Sequence, residues 1–536
     1  MNNTRAPRSF LRASTVALPL AAFIAVVIPF RGLLGGRLIG DSFDARWTAT
    51  VYEHWFLVLQ GVHPLRQTGI YFPYPNSLGF SDAFLLPGLI HSSFRLVGAD
   101  MITAWSITNV VLQIIFVLGL VVLSVQLFAR TLVRVIFIVV AGAGYTWVAQ
   151  LEHPQTLVYG LLVWIVVAFI AGVRGSRGGN NESRNIAWTA IPVLVGTLAL
   201  SAWYPFFFLL ILIPIALAGA LIFLPWRTTW QALRRSITRV PKPLGLASLG
   251  IFTASMALWA WIYLPVAGEV DRSWDDYLMH APTFVDFFIS NHLGGGVWGP
   301  LFDRVGWLSR STPPNLEARV GFTPLLLLTF ALTVIGALAL ISRRQSRLAR
   351  IELTLGWTVL ITWVIIAVDA RGVSPFLLAW LAPGGNAIRA PMRVNVILSI
   401  VALTAVLLAV EHWLSRQERQ AQRSSTAAYF AVAVFGAALL FEQIRDDTAR
   451  WSYPQEDAVL LSQAQGALDD QQCEVFRIEQ ANAPSPDDTP VLESLVAAQS
   501  RMPTTGGYSG GAPRALTAPD ISVCVLSWPS MEVTRP

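Results

Sequence analysis

Two aspartates three residues apart, Asp41 and Asp44, open a polar stretch in Gly40-Asp41-Ser42-Phe43-Asp44-Ala45-Arg46-Trp47. Carboxylates at that spacing lie on one face of a helical turn or flank its N-terminus. Either can take a proton from a nucleophile held at about 2.6–3.2 Å. The same spacing also suits a helix N-cap, where aspartate meets the positive end of the helix dipole. The helix that follows reads as amphipathic, running through Glu53-His54-Trp55 to Gln60, and Asp41 and Asp44 read as a pair of exposed carboxylates. A rigid aromatic–proline loop, Tyr71–Gly79, comes next, then Ser81-Asp82. His153 and Gln155 stand in Glu152-His153-Pro154-Gln155 at the edge of an apolar run, where a histidine serves as a hydrogen-bonding cap or as a ligand. Arg389 and Arg393, four apart in Asn386–Arg393, offer planar forks to one anionic group or to lipid phosphates in general.

These residues must be positioned by elements suited to lipid. Hydrophobic residues make up 54% of the 536 and charged residues only 13%, too few charges to cover a soluble surface. The net charge of +6 is almost all arginine, Lys242 being the single lysine, and its distribution is topological, so it carries no nucleic-acid signal. Eleven stretches approach the roughly 20 apolar residues a spanning helix needs: Ser14–Phe30, Met101–Phe128, Val135–Leu151, Thr156–Val173, Ile186–Trp203, Pro205–Leu224, Leu244–Val266, Phe322–Ile341, Leu353–Val368, Val394–Val410 and Thr426–Phe441. The first follows Arg5, Arg8 and Arg12 and is succeeded by no small-residue cleavage site, so it reads as an uncleaved helix. Ala83–Val97 is broken by Pro87, His91 and Arg95 and reads as a dip into the interface.

With that count, alternate connections collect more than half of the 38 Lys and Arg but only a handful of the 32 acidic residues. Positive connections stay in the cytoplasm, which places the N-terminus inside and the C-terminus outside, in a bacterial cell membrane. Loops 31–100, 267–321 and 369–393 and the tail from 443 then face outward. Apart from Glu411 at one cytoplasmic end, the apolar stretches hold no Asp, Glu, Lys, Arg or His, which disfavours ion-coupled transport. The tail alternates apolar and polar residues at Cys473–Ile478 and Ile521–Ser527, the pattern of two strands. Cys473 and Cys524 are expected to pair there on the oxidising side. The expected fold is an all-α polytopic membrane domain of about 11 transmembrane helices over 1–442, with a small extracytoplasmic α/β domain over 443–536.

The first-loop Gly-Asp-x-x-Asp, the helix with Glu-His-Trp, and the many spans sharing one loop-rich face resemble the GT-C superfamily of membrane glycosyltransferases. With Tyr71–Gly79, Ser81-Asp82, His153-x-Gln155, Asn386–Arg393 and Thr505–Gly510 added, the set is similar to bacterial multi-span proteins grouped with those enzymes. The resemblance implies transfer, with inversion, from a polyprenyl-phosphate-linked sugar to an envelope glycan, lipid or protein acceptor. It makes Asp41 or Asp44 the general base and sets Arg389 and Arg393 against the departing phosphate. Glu53, His54, Asp82, His153, Gln155 and Arg272 are further candidates for substrate binding. Some relatives hold a divalent metal with Asp-x-Asp. The spacing here is Asp-x-x-Asp, so no metal or other cofactor is expected, and membrane lipids are the remaining partner. Two other readings fit the same layout: a non-catalytic scaffold in envelope polymer assembly, and a lipid or polymer flippase.

Overall fold

The computed structural model describes residues 8–35, 44–178, 181–269, 273–288, 298, 321–342, 347–367, 372–382, 384–420, 425–443, 454–471, 473–480, 488–506, 523–528 and 532–534. The eleven apolar stretches are mainly helical where described, because a backbone in lipid must satisfy its own hydrogen bonds, although Val135–Leu151 is divided at Gly144 between two helices. In chain order the helices are α1 (Arg8–Val27), α2 (Asp44–Leu59), α3 (Leu85–Leu96), α4 (Met101–Leu127), α5 (Thr131–Ala143), α6 (Tyr145–Ala149), α7 (Gly160–Gly178), α8 (Asn181–Ser201), α9 (Trp203–Phe223), α10 (Trp226–Thr238), α11 (Lys242–Tyr263) and α12 (Trp274–His280). They continue with α13 (Pro324–Ser342), α14 (Arg347–Ile366), α15 (Leu377–Trp380), α16 (Asn395–Gln420), α17 (Ser425–Glu442), α18 (Pro454–Asp470) and α19 (Asp488–Ser500). Among the described residues eight helices are long and apolar enough to cross a membrane, Ser14–Val27 and Thr426–Glu442 are shorter apolar helices, and α8, which carries most of the expected span Ile186–Trp203, falls in neither group. The protein is an all-α polytopic membrane protein. The interrupted stretch Ala83–Val97 forms α3, whose 12 residues reach only about 18 Å at 1.5 Å per residue, short of the hydrocarbon core.

Side-chain amides and ion pairs join the helices where packing alone does not choose a register. Gln113 on α4 donates to the carbonyls of Ala25 (2.8 Å) and Gly142 (2.9 Å) and accepts from Trp147 Nε1 at 2.9 Å. One buried amide thus ties α1, α4, α5 and α6. At the arginine-rich end Arg130 bonds Glu411 and, at 2.6 Å, Glu418, holding the α4–α5 turn to α16. At the opposite end Glu442 accepts from the N–H groups of Leu325 (2.8 Å) and Leu326 (3.0 Å), satisfying orphan donors at the start of α13.

Helix α2 departs from expectation. An amphipathic surface helix should keep a solvated face, yet every residue from Asp44 to Leu57 except Arg46 is buried. It is enclosed by α3 and α4, the next two helices in the chain, and by α19 from the C-terminal segment. On its α3 side Glu53 bonds His91 at 2.7 Å and Arg95 at 2.9 Å, so a buried charge is paired rather than solvated.

The C-terminal segment builds a three-stranded sheet in the order β1 (Val475–Gln480), β2 (Val523–Trp528), β3 (Glu532–Thr534), where two strands were expected. Strands β1 and β2 are parallel, with Phe476 opposite Cys524, and β3 returns antiparallel. Cys473 and Cys524 are disulfide-bonded. The sheet is joined to the first long loop through main-chain bonds: Thr504 N to Gly69 O (2.8 Å), Phe72 N to Thr504 O (2.8 Å) and Tyr71 N to Gly506 O (2.9 Å). Glu493 on α19, 4% exposed, accepts from Thr504 Oγ1 and from Ile478 N at 3.3 Å. Burial pushes its carboxyl up to about 7, against the hydrogen bonds that favour ionisation.

That shift gives a pH signature. A raised carboxyl binds its proton more tightly in the folded chain than in the unfolded one. Stability should therefore fall as pH rises from the ordinary value of 4.5 through about 7. Glu493→Gln keeps the shape and removes the titration, so it should flatten this part of the profile of thermal midpoint against pH. Superimposable slopes for variant and parent would show that Glu493 does not titrate there.

Candidate functional site

Asp44 is the first residue of α2, and its carboxylate turns inward at 9% exposure. Its partners come from a segment that the backbone chemistry forces out of the α-helix. Proline has no N–H and pushes the residue before it to extended backbone. Accordingly His153, ahead of Pro154, sits at φ −111°, ψ 90°, between two short 3-10 turns. Thr156 secures the bend by donating to His153 O at 2.8 Å and Gln150 O at 3.0 Å. The bend delivers His153 Nδ1 and, at 3.1 Å, Gln155 Nε2 to Asp44 Oδ2. Burial opposes ionisation of Asp44, but His153, Arg393 and Gln155 outweigh it and hold its carboxyl below the ordinary carboxylate range.

The arginine segment is held as a seat of short turns, not a helix, so Arg389 and Arg393 do not share a helical face. Gly384 opens it at φ +78°, and a Cβ there would come within 2.5 Å of Trp203 Cζ2. The Trp203 indole donates to Gly384 O at 3.0 Å. Tyr204 Oη accepts from the N–H groups of Arg389 (3.2 Å) and Ala390 (3.3 Å). The guanidinium of Arg393, 3% exposed, lies 4.9 Å over the Tyr204 ring, a cation–π contact. Asp82 accepts from Trp203 N, at the start of α9.

These pieces enclose a cavity of about 580 Å³ lined by Asp44, Asp82, Gln155, Arg389 and Arg393, within the size range of small-ligand sites. His153 stands behind Asp44. Glu53 and His54 are not brought to the cavity: Glu53 is paired with His91 and Arg95, and His54 bonds His63 at 3.2 Å and Leu65 O at 3.0 Å. Asp41 and Arg272 lie outside the described residues. Among the described residues no group of three or more His, Cys, Asp or Glu has a metal-holding arrangement; Asp44 and His153 supply two such side chains.

The aromatic wall was not anticipated. Trp203 and Trp259 stack at 5.2 Å and 18°, with Tyr263 at 5.5 Å from Trp259, and Trp47, Phe80 and Trp380 complete it. The available signal was Trp259 and Tyr263, four apart on one helical face, together with Trp203-Tyr204 at a span boundary; the same residue types serve as interfacial anchors. Leu264 and Leu381 also line the cavity while 60% and 71% exposed, giving it an apolar mouth.

No family model matches the chain, and no curated protein does. Among solved structures it is similar to the oligosaccharyltransferase AglB of Archaeoglobus fulgidus in complex with an inhibitory peptide and a dolichol-phosphate. The identity is 12% and the TM-score 0.47, over 92% of this chain and 64% of that one. The apo form of the Archaeoglobus fulgidus oligosaccharyltransferase gives 12% and 0.49 over the same shares. ArnT of Cupriavidus metallidurans, bound to undecaprenyl phosphate, gives 13% and 0.39, over 93% of this chain and 86% of that one. The chain therefore spans less than two thirds of the length of the oligosaccharyltransferase chains.

Gly384 supplies a structural test of the seat. Gly384→Ala combines a left-handed backbone, which costs an L-residue roughly 1–2 kcal/mol, with the Trp203 clash. Its thermal midpoint should drop by several degrees in detergent, with quenching or a spectral shift of tryptophan emission. An unchanged midpoint would mean that the seat does not depend on this turn.

Proposed function

We propose that the protein is a membrane glycosyltransferase that moves a sugar from a polyprenyl-phosphate carrier to an envelope acceptor at the outer face of a bacterial cell membrane. The observation that carries the reading is the cavity itself. One buried carboxylate held ionised, two arginines and an aromatic wall converge at the end away from the arginine-rich connections, behind an apolar mouth. A lipid-linked sugar phosphate has that pattern of parts: a tail for the Leu264–Leu381 mouth, a phosphate for Arg389 and Arg393, and a sugar face for the tryptophans.

In this reading the acceptor hydroxyl attacks C1 of the sugar from the side opposite the phosphate. The C1–O bond to phosphate breaks, with its electron pair leaving on the phosphate oxygen. The acceptor proton passes to the Asp44 carboxylate. His153 and Gln155 hold that carboxylate in one orientation, and Arg389 and Arg393 offset the charge gathering on the departing phosphate. Asp82 and Gln155 line the sugar and acceptor space, and the tail over 443–536 is a separate domain docked on the first loop.

Two substitutions test the assignment. Asp44→Asn is nearly isosteric, so it should leave the thermal midpoint close to that of the parent. It should slow transfer from polyprenyl-phosphate sugars by about 10²–10⁴-fold, the usual contribution of a general base. Transfer within a few-fold of the parent would remove Asp44 from the chemistry and favour a non-catalytic scaffold.

Arg389→Lys and Arg393→Lys keep the charge but lose the planar fork. Each should raise the donor KM about tenfold or more, the effect of one charge-assisted hydrogen bond of about 1.5–3 kcal/mol. If both variants match the parent in donor KM, the arginines are structural.

A further inference from the structure

Helix α10, WRTTWQALRRSIT, joins the ends of α9 and α11 at the arginine-rich end and takes no part in the cavity. Projected at about 100° per residue, it has three distinct faces. One is held to the bundle: Ser236, fully buried, donates to Gly172 O at 2.9 Å and accepts from Trp188 Nε1 at 2.6 Å, while Arg184 bonds Arg239 O at 3.2 Å. The second face carries Trp230, Leu233 and Ile237, and it is not turned into the protein: Trp230 is 55% and Ile237 47% exposed. The third is polar, with Arg227, Gln231 and Arg234 exposed, and exposed Arg235 beyond them. No acidic residue occurs between Trp226 and Lys242.

In a soluble protein the apolar face of such a helix would pack on the core. Here the small polar face does so and the apolar face is left outward, between two helices that cross the membrane. We propose that α10 lies in the membrane interface as a binding surface for anionic phospholipid. Its Trp230–Ile237 stripe enters the acyl region, and Arg234 and Arg235 snorkel to phosphodiester headgroups. The occupant is the chain's own bilayer. A helix held edge-on by Ser236 has its apolar and basic faces on opposite sides of the headgroup plane, and basic residues beside an anionic surface attract it additively.

The test uses the full chain in nanodiscs of phosphatidylcholine with phosphatidylglycerol. The native cysteines are joined to each other, so Ile237→Cys or Gln231→Cys supplies the reactive thiol for a nitroxide label. The label at 237 should be more accessible to oxygen than to a water-soluble nickel chelate, and the label at 231 the reverse. In lipid-retention measurements, Arg234→Gln with Arg235→Gln should lower the preference for phosphatidylglycerol about fivefold per arginine, whereas Lys at both positions should preserve it. Equal nickel access at 237 and 231 would overturn the proposal. So would an unchanged preference in the Gln variant, a preference lost in the Lys variant, or one abolished by inorganic phosphate, which would assign the arginines to a soluble anion.

Discussion

Everything at the candidate site depends on keeping one charge buried. A lone carboxylate withdrawn from water takes up a proton rather than remain ionised, because the desolvation penalty is far larger than a domain's net stability. Asp44 stays ionised because two other segments of chain reach it: the 153–155 bend with its histidine and glutamine, and Arg393 from the turns before α16. The cavity is therefore a product of assembly. Remove the bend at Pro154 or the seat at Gly384 and the remaining residues lose the partner that makes their burial tolerable.

The arrangement separates duties within short stretches of sequence. On α2, Asp44 faces the cavity, Glu53 locks the helix to α3, and His54 meets His63 on the side toward the first long loop. Asp82 joins the lining to the start of α9 through Trp203, and the same tryptophan carries the bond to Gly384 and the stack with Trp259. Trp203 is thus the shared wall post of the carboxylate side and the arginine side.

Much of this was legible beforehand, and the reasons are physical. Apolar runs of spanning length leave no alternative to helices in lipid, so ten of the eleven stretches appear on apolar helices among the described residues, eight of them of spanning length. Polar residues of outer segments and span boundaries stand out against such a background, and Asp44, Asp82, His153, Gln155, Arg389 and Arg393, singled out on that ground, lie at or behind one cavity. The failures are equally explicable. Glu53 and His54 seemed to belong with Asp44 because they are close in sequence, but nine helical residues carry Glu53 about 13 Å along the axis, into a different environment. The burial of α2 could not be read because one element covering it, α19, comes from the C-terminal segment. The tryptophans of the wall carry the same signature as residues that merely rest at headgroup depth.

The pairing of Gly69–Phe72 with Thr504–Gly506 has a consequence for biogenesis. The first long loop leaves the ribosome before the helices that follow it, yet its closing hydrogen bonds wait for Thr504 and Gly506, made after all of those helices. Until then Tyr71 and Phe72 lack the main-chain acceptors they finally use, and the segment leading to Phe80, Ser81 and Asp82 is anchored on one side only. A chain cut short before Thr504 would insert its helices and still present an unfinished entrance. The order of synthesis thus reserves completion of the entrance for chains that have reached Gly506.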